Sequence, residues 1–322
     1  MHTLISYASP PGPHCQDALQ RLTLPHLHEL LQLLSPTASV RGKAEDFTPV
    51  SERVIAQAHG LDGPDGLIPW AADEAQRLGL TTLHGTGGWA WITPCHWTLQ
   101  SNHATMDDPV QLSLTPRDCE TFRAAMHPYF AEDGVTLFTH APGQPHTRWL
   151  AHGDFFKQLP TASLDRVAGR TIDPWLPRQE QARELRRLQN EMQMLLYTHP
   201  LNDQRKREHL PTVNAFWVSG TGTPVPSKTP LPTAQNIALR DSLRNAALDD
   251  DAASWVMAWH ALDASTMHHE VQRARKAEPV TLTLCSATQA QSFSNVPLST
   301  WERLRRKLSP VSVRETLITL CN

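Results

Sequence analysis

The sequence lacks most of the short signatures that announce a chemistry. It has no Cys-x-x-Cys, no His-Glu-x-x-His and no Asp-x-Asp-x-Asp-Gly, which leaves no ready-made zinc or calcium site. It has no surplus of positive charge. The formal net charge is -3 and the pI about 6.6, so there is no electrostatic footprint for nucleic acid. No apolar run approaches the roughly 20 residues that a membrane-spanning helix needs, so no membrane partner is expected. The opening "MHTLISYASPPGP" has neither a basic start nor a long apolar stretch, and does not read as a secretory signal. Cysteines are few and odd in number: Cys15, Cys95, Cys119, Cys285 and Cys321. They suit a reducing cytoplasm better than a disulfide framework. No internal repeat and no low-complexity tract interrupts the 322 residues, a length for one elaborated domain or two.

What is abundant is proline and tryptophan, 26 and 10 residues. The first implies many fixed turns, the second large rigid packing units. "HTLISY" reads as a first strand stopped by "SPPGP". "LPHLHELLQLL" carries leucines at helical spacing. "SERVIAQAHG" reads as a helix with Ser51 as N-cap and Gly60 past its end, and "IPWAADEAQRLG" as a third helix ending at Gly79. "GWAWITPCHWTL" reads as strand. "LTPRDCETFRAAMHPYFAEDG" is a helix with Thr115 as N-cap, Pro116 at its first position and Gly134 beyond. "VTLFTHAP" and "TRWLAHG" suggest a hairpin, and "PRQEQARELRRLQNEMQMLLYTH" a long helix.

"THPLNDQR" then reads as an irregular polar turn before the apolar strand "TVNAFWVSG" and the loop "TGTPVPSKTPLPTAQN". One or two helices over "DAASWVMAWHALDASTMHHEVQRARK", the strand "PVTLTLCS" and a final helix at "TWERLRRKL" complete the chain. Apolar rather than alternating strands between helices predict an α/β fold with a largely parallel sheet flanked by helices. A helix–hairpin insert over 108–185 would form a small α+β cap on a core made of 1–107 and 186–322.

Seventeen histidines raise the question of metal. Adjacent helical residues point apart, so His268 and His269 do not face one ion, and His26 and His28 also diverge. Spacing therefore favours surface or packing roles. "HGTGGWAW" precedes a strand rather than opening a helix, which favours a plain turn over a phosphate cradle. "SGTG" at Ser219–Gly222 follows an apolar strand, where ligands of open α/β sheets bind, and a ligand loop and a structural turn both stand. Ser51 is open between an N-cap and a nucleophile for phosphoryl transfer at a helix N-terminus.

Taken in order, several segments resemble the archaeal-type cofactor-independent phosphoglycerate mutases of the alkaline-phosphatase superfamily. "TLPHLHELLQLL" resembles that family's leucine-rich helix. "PVSERVIAQAHGLD" resembles its nucleophile segment, with Ser51 in the nucleophile's place. "IPWAADEAQRLGL" is similar to its Gly-Pro-Phe-Glu-Ala stretch. "HTRWLAHG" resembles its Arg-His segment and points to Arg148. "ASLDRVAGR" falls at its Pro-His-Asp segment, where Leu164 replaces histidine and Asp165 remains.

"THPLNDQR" and "VNAFWVSGTG" resemble its His-Pro-x-Asn-x-x-Arg turn and Asn-x-x-Trp-x-x-Gly-x-Gly strand. These supply Asn202, Arg205, Asn214, Trp217, Gly220 and Gly222. The last two segments also resemble bacterial regulatory proteins of the pathogenicity-factor-regulation E type. The resemblance implies an alkaline-phosphatase-like core. It also implies a cleft for a small phosphorylated or carboxylate ligand lined by Arg148, Asp165, Asn202, Arg205, Asn214, Trp217, Gly220 and Gly222. Arg148 and Arg205 would together form its anion site.

The departures change the expected activity. The family holds two divalent metals, the first through an Asp-Gly directly after strand one. Here that place reads "SYASPPG". Its late Asp-His-Gly loop has no counterpart in "TLTLCSATQAQ", although His260, Asp263 and His268 could retain some ligands. Without two metals Ser51 lacks activation. The implied protein is a catalytically impaired, cytoplasmic, regulatory or ligand-sensing relative with a vestigial Ser51, no cofactor and an unknown protein partner. The alternatives are an active metal-dependent phosphotransferase or mutase with relocated ligands, and a structural protein-interaction module.

Overall fold

The structure is a computed structural model that describes residues 2–84, 87–138, 147–225, 237–295 and 311–321. Its strands are β1 (His2–Ile5), β2 (Ser35–Arg41), β3 (Gly88–Cys95), β4 (Trp97–Leu99), β5 (Ala104–Met106), β6 (Thr136–Leu137), β7 (Trp149–Gly153), β8 (Arg170–Thr171), β9 (Ala215–Gly222), β10 (Ile237–Arg240), β11 (Thr281–Cys285) and β12 (Gln289–Ser294). Two compact units emerge. The first is Met1–Glu45, Pro49–Gly60 and Leu231–Asn322. The second is Asp46–Thr48 and Leu61–Pro230. The division falls at 61 and 230. The 108–185 stretch lies wholly inside the second unit, whose core it shares with residues on both sides.

The first unit is built on a five-stranded sheet in the order β10-β1-β11-β12-β2. β1 runs parallel to β10 and β11, whereas β11–β12 and β12–β2 are antiparallel. The helix Pro25–Leu33 buries Leu27, Leu30 and Leu31, the i, i+3, i+4 stripe that the leucine spacing predicts. That stripe packs with Trp255 and Trp259 of the helix Ala252–Leu262 and with Leu282 and Leu284 of β11. Each fully buried leucine contributes about 1.5–3 kcal/mol relative to exposure.

The second unit carries an antiparallel sheet, β6-β7-β3-β9, and a small antiparallel sheet, β4-β5-β8. The expected largely parallel sheet is thus corrected: the fold is α/β, but among the described strands parallel ladders are confined to β1. The physical reason lies in β9. Phe216 and Val218 pack on the helices Pro116–Glu132 and Arg183–Tyr197, while Ala215 and Trp217 pack on the opposite face with Cys95 and Trp97. A strand covered on both faces reads as a continuous apolar run whatever its direction.

The Pro116–Glu132 helix opens as predicted. The Thr115 hydroxyl accepts from Asp118 N, and the Asp118 carboxylate accepts from Thr115 N, a reciprocal cap. Two other expectations shift. "THPLNDQR" is not irregular: it forms the helix Pro200–Arg207. The strand β9 does not stop at Gly220 but runs through Gly222, paired with β3 across an irregularity between Trp89 and Trp91. The loop predicted after it lies mostly outside the described residues, as do part of the hairpin before Arg148, the turn at Gly85 and the final helix predicted at "TWERLRRKL".

Candidate functional site

Ser51 sits inside the helix Val50–Ala58, one residue past its start. Pro49 is the N-cap, and no side chain caps there. The N-cap expectation is therefore corrected: Pro49, with its fixed φ, starts the helix two residues early. Ser51 is half-buried and belongs to the first unit, while Gly220 and Gly222 belong to the second.

The stretch just after β1, where the resemblance places a metal-binding aspartate, is filled with apolar and neutral groups. Tyr7, Ala8 and Ser9 are buried. The indole of Trp255 donates to Tyr7 O at 3.3 Å and that of Trp259 to Ala8 O at 3.2 Å. Ser9 Oγ donates to Leu317 O at 2.6 Å. At the end of β11, Cys285 is fully buried and desolvation pushes its thiol far up, so it stays a neutral thiol.

In the second unit the residues of the signature turn are fastened to the backbone. His199 caps the Pro200–Arg207 helix, its Nδ1 accepting from Leu201 N at 3.2 Å, and burial pushes its imidazole below the usual value. Asn202 is buried. Its Nδ2 donates to Leu196 O at 2.7 Å and Val213 O at 2.6 Å, and its Oδ1 accepts from Val213 N at 3.0 Å. Asn214 mimics a ladder partner of Trp97, Oδ1 accepting from its N at 2.7 Å and Nδ2 donating to its O at 2.8 Å. Trp217 is buried and donates its indole N–H to Ala162 O at 2.9 Å.

Arg205 is 2% exposed. Its Nε donates to Pro211 O at 2.8 Å, Nη1 to Asp118 at 3.3 Å, and Nη2 to Leu112 O. A guanidinium satisfied on all three nitrogens, with its counter-charge in place, presents nothing to solvent.

Arg148 differs. Its guanidinium lies 3.7 Å over the Trp91 ring, and Nη2 donates to Glu74 Oε2 at 2.9 Å. Trp91 Nε1 donates to the same oxygen at 2.7 Å. The arginine side chain is 35% exposed and Glu74 is 10%. Gly220 adjoins this group. With φ +63 it sits in the left-handed region, and a Cβ there would lie 2.8 Å from the Trp91 ring. Gly222 makes a similar close approach to Pro69. Asp165 lies in the short helix Leu164–Val167, half-buried, its N–H donating to Ser163 Oγ at 3.3 Å.

The structure thus brings Arg148 and Gly220 together, with Glu74, Trp91 and Trp70. Among the described residues Arg148 and Arg205 share no partner. Sequence reasoning missed Glu74 and Trp91. The signal was an acid on the apolar face of "WAADEAQR", beside the buried Ala71 and Ala75. Such a residue needs a partner.

No family model matches the chain, and no curated protein matches it. Among solved structures it is similar to the PH0037 protein from Pyrococcus horikoshii, at 11% identity and TM-score 0.38, covering 91% of this chain and 87% of that one. It is also similar to the cofactor-independent phosphoglycerate mutase from Thermoplasma acidophilum, at 13% identity and TM-score 0.36, with both chains covered to 100%. Both are distant in sequence and in geometry.

Proposed function

We propose that this chain is a phosphoglycerate-mutase-like protein that acts by binding, in a regulatory role, and does not turn over a phosphate ester. The observation that carries the reading is the filled end of β1. Tyr7, Ala8 and Ser9 are buried there under Trp255 and Trp259, with no carboxylate at the place of the first metal ligand. Phosphoryl transfer by Ser51 needs a cation beside the nucleophile to hold phosphate oxygens and favour the alkoxide. Neutral, desolvated side chains do not supply it.

Anion recognition in this reading falls to Arg148, the one of the two expected arginines that reaches solvent. Glu74 neutralises it in the unliganded state, so a phosphate or carboxylate must share or displace that carboxylate. Calorimetry with a phosphorylated three-carbon acid tests this. Binding is expected for the unmodified chain, a loss of tenfold or more in Arg148→Ala, and a gain in Glu74→Gln. No binding to the unmodified chain, or binding indifferent to both substitutions, would remove the anion site and leave a structural interaction module.

A further inference from the structure

His26 is the second residue of the helix Pro25–Leu33, and His268 opens the helix His268–Arg275, 242 positions away in sequence. Both belong to the first unit, with the five-residue π-helical segment Asp263–Met267 leading into the second helix. Such π segments re-aim the side chains that follow them and are frequent at functional sites. Here His26 Nε2 and His268 Nδ1 stand 3.1 Å apart, with ring centroids at 4.8 Å and planes at 89°.

Behind them lies Asp263, its side chain 5% exposed. Its carboxylate accepts from His26 N at 3.2 Å and Leu27 N at 2.8 Å, and meets His26 Nδ1 at 3.1 Å. A carboxylate beside Nδ1 fixes the proton there and leaves Nε2 as a lone pair directed at His268.

The geometry points to a two-histidine site for a divalent transition-metal ion of the zinc, copper and nickel group. Two imidazole nitrogens at roughly 2.05 Å from one ion in a tetrahedral arrangement lie about 3.3 Å apart. The two nitrogens here stand 3.1 Å apart, so a small opening of the pair admits an ion between them. Without an ion the two nitrogens share a hydrogen bond between edge-on rings, and an ion would replace the shared proton.

Asp263 completes a carboxylate–histidine–metal arrangement, the commonest way to orient a ligating imidazole. His26 is one-third exposed and His268 exposed, so water can fill the remaining positions. The ion would staple the helix Pro25–Leu33 to the helix His268–Arg275. It would serve as a structural or sensing site, with a ligand set that imidazole-preferring metals favour over magnesium or calcium.

The test uses the full chain, stripped of metal and titrated with zinc by calorimetry. One equivalent of copper is then read by electron paramagnetic resonance. One site is expected whose zinc affinity falls at least tenfold in His268→Gln and in His26→Gln and is unchanged in His14→Gln. The copper spectrum should show two equatorial imidazole nitrogens and lose them in His268→Gln, and zinc should raise Tm in the unmodified chain only. Asp263→Asn should weaken zinc about tenfold. His268 is exposed, so its variant is expected to fold, and circular dichroism checks that it does. Equal zinc affinity and the same copper spectrum in unmodified and folded His268→Gln protein would overturn the site. So would the absence of zinc binding to the unmodified chain, and either result would leave the two histidines as a hydrogen-bonded pair.

Discussion

Two polar clusters of this molecule are organised in opposite ways. Around Arg205 and Asn202, every strong donor ends on a backbone carbonyl or on Asp118, and the residues are 2% exposed. Around His26, a buried Asp263 holds one imidazole while the outer nitrogens of two rings converge at the surface. The first cluster is closed, and its bonds hold the Pro200–Arg207 helix to the start of β9. The second is joined at the surface by a nitrogen–nitrogen hydrogen bond that a ligand can replace. Polar residues gathered at one place thus mean recognition only when some of their bonds can be exchanged for a ligand's. Arg148 lies between these extremes: it is stacked and paired, yet one-third exposed.

The comparison can be broken most severely at Arg205. Arg205→Ala leaves Leu112 O and Pro211 O without their side-chain donor and Asp118 without its counter-charge, and should cost about 3–5 kcal/mol. Urea unfolding checks it, and a loss below 1 kcal/mol would mean that the cluster is not closed. Asn202→Ala removes the side-chain partner of the Val213 carbonyl and N–H, while Leu196 O keeps His199 N as a donor. About 1–3 kcal/mol is expected in the same assay. Arg148→Ala, by contrast, should cost only about 1 kcal/mol, because the arginine is part-exposed and Trp91 still donates to Glu74.

A smaller effect should appear in acid. Asp250 accepts from Cys15 N at 2.9 Å and also from His14 N and its ring, which hold its carboxyl down at about 2. A depressed folded-state value means stability that is present above the unfolded value near 3.9 and lost as pH falls towards 2. Asp250→Asn should therefore flatten the stability profile between about pH 4 and about pH 2, measured as Tm against pH. An unchanged slope would show that the carboxylate does not cap the helix Pro13–Leu19.

The least perturbing probe is thiol labelling. Cys15, Cys95, Cys119 and Cys285 are buried, and desolvation pushes all four thiols up, Cys15 and Cys119 to about 12. Cys321 alone is half-buried. One fast-reacting thiol is expected in the folded chain and five after denaturation. Fast labelling of a second thiol would show that the packing around that cysteine is open.

What could be read from the sequence was what is local. The leucine stripe over 24–34 and the Thr115 N-cap lie within a turn or two of their partners, and both formed as predicted, the cap with the reciprocal bond of Asp118 added. The direction of the sheets was hidden because β9 buries both faces, which removes the alternation that marks an antiparallel strand. The Pro200–Arg207 helix was hidden because His199 and Pro200 look like a break, when proline at the first helical position begins a helix. Arg205 was expected at an anion site, and its burial depends on Asp118, 87 positions away. The histidines were judged by neighbours in sequence, where His26/His28 and His268/His269 do diverge. Only the packing of distant helices brings His26 to His268.

Binding without turnover, as proposed, is tested by phosphoglycerate mutase and phosphomonoesterase activity of the purified chain, stripped of metal and then supplied with manganese, magnesium, cobalt or zinc. Ser51→Ala runs in parallel. No turnover above the Ser51→Ala background is expected under any metal. Metal-stimulated turnover that disappears in Ser51→Ala would instead establish an active phosphotransferase with relocated ligands.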